Sequence, residues 1–317
     1  MRNAFVQSLL RVAAEDPRVL LVTGDLGFGV LDEFRSKHPD QFYNVGVAEQ
    51  NLAGVAAGLA LSGHVVFTYS IGNFPTLRCL EQVRNDICYH GANVKIVSVG
   101  GGLAYGGLGF SHFATEDLAI LRALPGLTVV APGDPIEVEQ LLPQIVKHQG
   151  PVYLRLGRAG EKPVHDRAVT VRLGSPTRAR AGSDVLFLST GGMLPVALQA
   201  ADLLDRDGLS AEVWSVHTVK PLDDEAICEL GARFPIVIAC EEHTSLGGFG
   251  GALAEVLLEA GVTPVFRRFA LPPSFPVGVG SQEYLRTLNG IDAVALHSLA
   301  VSLVGSCQSP APLLRDR

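Results

Sequence analysis

Short apolar runs alternate with helix-period segments along this chain, and that alternation constrains the fold more than any single motif. VLLVTG (19–24), HVVFTY (64–69), VKIVSVG (94–100), LTVVAP (127–132) and VYLRLG (152–157) are rich in Val and Leu and show little in/out polar alternation. Strands of a parallel sheet read this way, because helices cover both faces. Helical patterns fill the gaps at 2–14, 49–62, 75–89, 114–123 and 135–148. Residues 158–180, RAGEKPVHDRAVTVRLGSPTRAR, break the rhythm with Pro, Gly and mixed charge, as a linker with room for a short hairpin does. The rhythm then resumes with strands DVLFLST (184–190), SAEVWSV (210–216), PIVIACE (235–241) and TPVFRRFA (263–270), and helical patterns at 194–207, 222–231, 249–260 and 290–304. The expected fold is α/β in two domains, 1–157 and 181–317, each a mostly parallel sheet flanked by helices.

Bulk properties exclude several function classes. A net charge of −7 and a pI near 5.7 argue against nucleic-acid or anionic-membrane partners. Only 18% of residues are charged and the mean hydropathy is +0.28, so a large subunit interface is expected to cover apolar surface. No stretch reads as an apolar membrane span, and MRNAFVQSLLRVAAED at the start reads as an amphipathic helix rather than a signal peptide. Five cysteines (Cys79, Cys88, Cys228, Cys240, Cys307) form no CxxC pair, which suits a reducing cytoplasm and offers no metal framework.

Motifs taken singly are weak. GDLGFG (24–29) and GGGLAYGGLG (100–109) follow strands, but neither has the glycine spacing or the lysine of a nucleotide loop. Glu49, in NVGVAEQN (44–51), opens a segment that carries no charge to Leu61. It is either a first-turn acid favoured by the helix dipole or a buried carboxyl that is protonated or paired. His112, in GFSHFATED (109–117), follows the glycine-rich loop and precedes a helix that Ser111 or Thr115 can cap. Arg155 and Arg158, in YLRLGR, sit at a strand's carboxyl end, where open parallel sheets bind ligands. Glu241, Glu242 and His243 form either a metal group or a loop ahead of a Gly-rich helix start.

Together these pieces resemble the carboxyl-terminal two-thirds of transketolase. The resemblance spans nearly the whole chain through TGDLG, NVGVAEQN, the aromatic segment before LEQVRNDI, GFSHFATED, LTVVAPGDP, PVYLRLGR, HTVKPLD (217–223) and the EEH…GGFG loop. It implies a pyrimidine-binding domain followed by the family's C-terminal domain, with no GDG…N diphosphate-binding signature in the chain. It also implies thiamine diphosphate and Mg²⁺ as cofactors, held mostly by a separate diphosphate-binding subunit in a heterotetramer of two α and two β subunits. Glu49 then matches the glutamate that bonds N1′ of the cofactor's aminopyrimidine, its proton kept by an apolar wall. Phe74 matches the aromatic that stacks on that ring, with Ile71 and Leu77 where neighbouring aromatics often stand. Asp25 matches an acid near the thiazolium, and His112 the histidine that reaches the donor's oxygens.

The substrate positions depart from the pattern. Arg2 and Arg158 match two arginines that hold a sugar's phosphate. The serine and histidine that share that phosphate correspond to Gly29 and Gly100, and an aspartate that reads a sugar hydroxyl corresponds to Leu108. Each lost charge-assisted bond is worth roughly 1.5–3 kcal/mol, so a non-standard sugar substrate is expected. The same two modules also occur in the β subunit of 2-oxo acid dehydrogenases and in deoxyxylulose-phosphate synthases. A non-catalytic regulatory paralogue is a third reading, which the retained Glu49, Phe74, His112 and Arg158 oppose.

Overall fold

The computed structural model describes residues 1–308. Its strands are β1 (Val19–Thr23), β2 (Phe42–Asn44), β3 (Val65–Ile71), β4 (Val94–Val99), β5 (Thr128–Val130), β6 (Val152–Leu156), β7 (Thr177–Arg180), β8 (Val185–Ser189), β9 (Ala211–Ser215), β10 (Thr218–Lys220), β11 (Ile236–Thr244) and β12 (Val265–Leu271). The helices are α1 (Arg2–Glu15), α2 (Asp32–Lys37), α3 (Glu49–Leu61), α4 (Leu80–Gln82), α5 (Asp117–Arg122), α6 (Pro135–Lys147), α7 (Leu194–Arg206), α8 (Asp224–Arg233), α9 (Phe249–Glu259), α10 (Gln282–Leu288) and α11 (Ala293–Gln308). One sheet runs β10-β5-β6-β4-β3-β1-β2 and the other β12-β11-β8-β9-β7. All pairs are parallel except β10 with β5 and β7 with β9. The nine expected strands are present, and each sheet is mostly parallel and helix-covered.

Three elements differ from the sequence expectation for identifiable reasons. The helix expected at 114–123 shortens to α5, because Ala114 forms a two-way backbone bridge with Gly102 (2.9 and 3.0 Å) and is committed to that pairing. The helix expected at 75–89 opens as a 3-10 turn at Leu77–Cys79, and beyond α4 it widens into a π-helical turn at Val83–Cys88. The segment 158–180 holds no hairpin. It lies along α6, where Gln140 and Gln144 bond the backbone of Val169, Val171 and Leu173 at 2.8–2.9 Å. Those side-chain amides take the place of a partner strand.

The two domains share their interior. One core joins α3 and the first sheet (Leu52, Ala56, Val66, Ile96) to α8, α9 and the second sheet (Ile227, Leu253, Leu188, Val237). Edge strand β10 also carries the second domain's chain into the first sheet. The Glu241-Glu242-His243 run, one of whose readings was a metal group, is divided among three partners instead. Successive residues of β11 face opposite ways. Glu241 accepts from Phe249 N (2.7 Å) and Gly250 N (2.9 Å) at the start of α9. His243 accepts from Ala119 N in α5 through Nε2 (3.2 Å), and its Nδ1 donates to Thr244 O (2.8 Å). Burial holds that imidazole below its ordinary pKa, which suits the neutral tautomer these bonds require. Glu242 faces the first domain.

The expectation that no segment has the hydropathy of a membrane span does not hold for the 26 residues 282–307, which contain an 18-residue window with a mean hydropathy of 1.5. The backbone there is interrupted between α10 and α11, and Leu285, Ile291, Leu296 and Ala300 are buried against the second sheet. Val294 and Val301 of the same segment remain exposed.

Burial pushes Glu241 up to about 7 against the pull of its two backbone N–H groups. A carboxyl raised in the folded state favours folding below its unfolded value near 4.5, and that contribution is lost as pH rises through about 7. Glu241→Gln is therefore expected to flatten the fall in stability between these two values, a difference of about 3 kcal/mol at most. Denaturant melts of both proteins across this range check it, and parallel curves would contradict it.

Candidate active site

Every sequence-predicted site residue lies at or just beyond the carboxyl ends of first-sheet strands, or on a helix that starts there. Asp25 and Gly29 follow β1, Glu49 follows β2, Ile71 and Phe74 close β3, Gly100 follows β4 and Arg158 follows β6. Parallel strands put all these loops on one edge.

Glu49 is the first residue of α3 and is only 2% exposed. The partial positive charge of the helix start favours a carboxylate there. Its wall is not wholly apolar, in contrast to the sequence expectation. Arg78 Nη1 bonds Glu49 Oε2 at 2.8 Å, and Ser70 Oγ approaches Oε1 at 3.4 Å. Glu49 is therefore lined by a cation and a hydroxyl as well as by apolar groups. The Arg78 guanidinium also lies 4.4 Å from the centre of the Phe74 ring. His112 meets the same ring edge-on at 5.2 Å. Gly72 makes that contact reachable: its backbone has φ +50°, and a Cβ there would fall 2.9 Å from the His112 carbonyl oxygen. Glu49, Phe74 and His112 thus form one cluster, and Arg78 and Ser70 complete it.

The cluster is suited to a planar nitrogen heterocycle. A flat guanidinium already stacks on Phe74 while donating to Glu49, the two contacts an aminopyrimidine would make. Asn73 Oδ1, one residue before Phe74, is buried with no partner among the described residues, and so offers an acceptor for a ring amine. Ile71 is half-buried beside it, and Leu77 is 38% exposed. Asp25 is an exposed non-glycine residue in the left-handed region at φ +55°. Asn44 holds it there by accepting from Asp25 N and donating to Asp25 Oδ1, both at 2.9 Å.

The anion end is brought together in part. Arg2 N donates to Arg158 O at 3.2 Å, so both arginines project from adjacent backbone. Arg2 Nε is buried with no partner among the described residues, whereas Arg158 is exposed and its Nη1 reaches Ala104 O at 3.3 Å. Gly29 and Gly100 differ in kind. A Cβ at Gly29 would meet open space, but one at Gly100 would sit 2.1 Å from the Tyr105 ring. Tyr105 therefore fills the room a histidine would need. Leu108 is exposed on the same loop as His112. Arg155, one of the two arginines singled out at that strand end, is committed elsewhere: its Nε bonds Asp117 at 2.8 Å and it is 4% exposed. Sequence reasoning missed Arg78, Ser70, Asn44 and Tyr105, whose partners lie at least 19 residues away in the chain or, for Tyr105, across a glycine loop. The visible signal was Arg78 itself, a lone charge between Phe74 and Leu80 in NFPTLRCL.

Comparisons with known proteins point to one family. Residues 1–160 match the model of the transketolase pyrimidine-binding domain, and residues 174–294 match that of the transketolase C-terminal domain. One subunit of the 6-deoxy-6-sulfo-D-fructose transketolase from Clostridium sp. is 37% identical over 92% of this chain and 91% of its own. One subunit of the apulose-4-phosphate transketolase from Phocaeicola vulgatus is 35% identical over 96% and 97%. A 1-deoxy-D-xylulose-5-phosphate synthase from Heliobacterium modesticaldum is 34% identical, and this chain spans 48% of it. A solved split-gene transketolase, described as an inactive tetramer of β chains, superposes with a TM-score of 0.86 at 33% identity, covering 96% of this chain and 97% of that one.

Two substitutions test the local chemistry. Arg78→Met leaves a buried carboxylate without its counter-charge and is expected to lower stability by about 1–3 kcal/mol, nearer the low end because solvent reaches the half-exposed guanidinium. An unchanged denaturation midpoint would contradict the pairing. Gly100→Ala is expected to cost a similar amount through its φ of +95° and the Tyr105 clash. Adding Tyr105→Ala should restore part of that loss, and simple additivity would contradict the clash.

Proposed function

Since this chain belongs to the transketolase family, we propose that it is the β-type subunit of a split transketolase that transfers a two-carbon ketol unit from a ketose to an aldehyde. The single observation that carries this reading is the Glu49–Phe74–His112 cluster, a pyrimidine cradle with a substrate-side histidine against it. Family membership brings dependence on thiamine diphosphate, which when bound supplies the nucleophilic carbon for ketol transfer. This chain's residues supply position and protons. Phe74 offers the stacking face, Glu49 a carboxyl for the ring nitrogen and Asn73 Oδ1 an acceptor for the ring amine. Arg78 must release Glu49 before that carboxyl can meet the ring nitrogen. His112, with Ser111 Oγ at 3.0 Å from Nδ1, is placed to hold or move a proton at a donor oxygen. Asp25 is held at the rim for the cofactor's other ring.

Mg²⁺ and the diphosphate are assigned to a partner subunit, in a heterotetramer of two α and two β chains. Phe28 and Val47, 76% and 75% exposed in loops on the same edge as Glu49, give such a partner an apolar rim to cover. The donor is proposed to be a non-standard sugar with an anionic far end. Arg2 and Arg158 remain for the anion, while Gly29 and Gly100 add no side-chain contact and Leu108 reads no hydroxyl. Two relatives are named as subunits of a 6-deoxy-6-sulfo-D-fructose transketolase and of an apulose-4-phosphate transketolase, and these names support a donor with an anionic group away from the usual position.

Co-expression with a chain carrying GDG…N, followed by assay with thiamine diphosphate and Mg²⁺, tests the reading. The donor panel holds sulfonated, phosphorylated and neutral ketoses and pyruvate. Ketol transfer only by the complex, fastest with an unusual anionic ketose, is expected, and Glu49→Ala should reduce it at least about 100-fold. Fastest turnover of xylulose 5-phosphate with ribose 5-phosphate would refute the substrate proposal. Turnover of pyruvate alone would point to the 2-oxo acid enzymes, and full activity of Glu49→Ala to a regulatory paralogue.

A further inference from the structure

The loop that carries Leu108 and His112 leaves the first domain at Gly100 and returns at Ala114, and it is restrained from the second domain as well as from the first. Leu103 and Phe113 are 0% and 1% exposed and lie in the core formed by Phe187, Met193, Ile238 and Leu285. Gly280 N donates to Gly106 O at 3.1 Å. The Phe110 ring packs edge-on against Phe275 at 4.8 Å. At the base of the loop, Leu103 N donates to Glu242 Oε1 at 2.7 Å. Glu242, 2% exposed, also accepts from Gln282 Nε2 (2.9 and 3.0 Å), from Arg286 Nε (2.9 Å) and from Arg286 Nη2. Only donors converge on it, so only a two-oxygen acceptor satisfies them.

Two glycines of the loop, Gly102 and Gly106, record the same pressure. A Cβ at Gly102 would fall 2.7 Å from Glu242 Cγ. One at Gly106 would fall 2.5 Å from Leu285 Cδ1 and 2.6 Å from Gly280 O. The backbone lies so close to the second domain that no side chain fits between them.

We infer that Glu242, braced by Arg286, is a positioning residue through which the second domain fixes the loop that presents Leu108 and His112 to substrate. Glu242 touches no reacting atom. It sets where His112 stands, and so gives the C-terminal domain a direct part in substrate selection. This rests on the reading above that His112 meets the donor.

The test uses Glu242→Gln, which keeps the shape but removes one acceptor oxygen, and Arg286→Met, which leaves Glu242 in place. In the full chain alone, hydrogen exchange at the amides of residues 103–113 is expected to quicken about 10-fold or more in both variants. The amides of Phe249 and Gly250, held by Glu241, should not change. In the assembled enzyme, kcat/KM for the donor should fall by up to about 100-fold, with thiamine diphosphate affinity unchanged. Adding Glu242→Gln to His112→Ala should cost nothing further, because both act at one point. Unchanged exchange at 103–113, or losses that add to those of His112→Ala, would overturn the inference. Full turnover by His112→Ala would instead overturn the functional reading, and the exchange result would then decide on the clasp by itself.

Discussion

A carboxylate buried at the start of an apolar helix needs a counter-charge, and much of this site is arranged around that need. Glu49 gains from the dipole of α3, but a helix end alone offsets about 1 kcal/mol of a desolvation cost several times larger. Arg78 adds a counter-charge across 2.8 Å, and its guanidinium rests on Phe74 as it does so. One side chain therefore touches both parts of the cradle. The same contacts define what can replace it: a flat, nitrogen-bearing ring able to bond a carboxyl and stack on an aromatic.

The second domain serves this arrangement from a distance. It shares a core with the first, extends the first sheet by β10 and spends three consecutive residues of β11 on helix starts and on the Leu103 amide. None of the three is available to a metal. Phe28 and Val47 are exposed in loops at the carboxyl edge of the first sheet.

What the sequence revealed followed from interaction range. Strands β1, β3, β4 and β6 are fully buried, or nearly so, and each is an apolar run visible without knowledge of its neighbours. Strand β2 has three partly exposed residues, and β10 exists only because β5 lies beside it, so neither leaves a local trace. Glu49, Phe74 and His112 were legible because the motifs around them resemble transketolase. Arg78, Tyr105 and Glu242 were not, because their roles arise from contacts with Glu49, Gly100 and Leu103 that only the fold creates. The expected apolar wall around Glu49 failed for that reason: the neutralising charge is 29 residues away in the chain. Gly100 read as a lost contact, and the structure shows it as the space Tyr105 occupies.

The most direct test of a half-site built on Glu49 and Phe74 is calorimetric titration of thiamine diphosphate, with Mg²⁺ present, into this chain, its partner, the assembled complex and a complex carrying Glu49→Ala. Tight binding by the complex is predicted, at least about 10-fold weaker with Glu49→Ala and weaker still with either chain on its own. Equal affinity in the Glu49→Ala complex, or in the partner on its own, would contradict the assignment of the pyrimidine cradle to this chain.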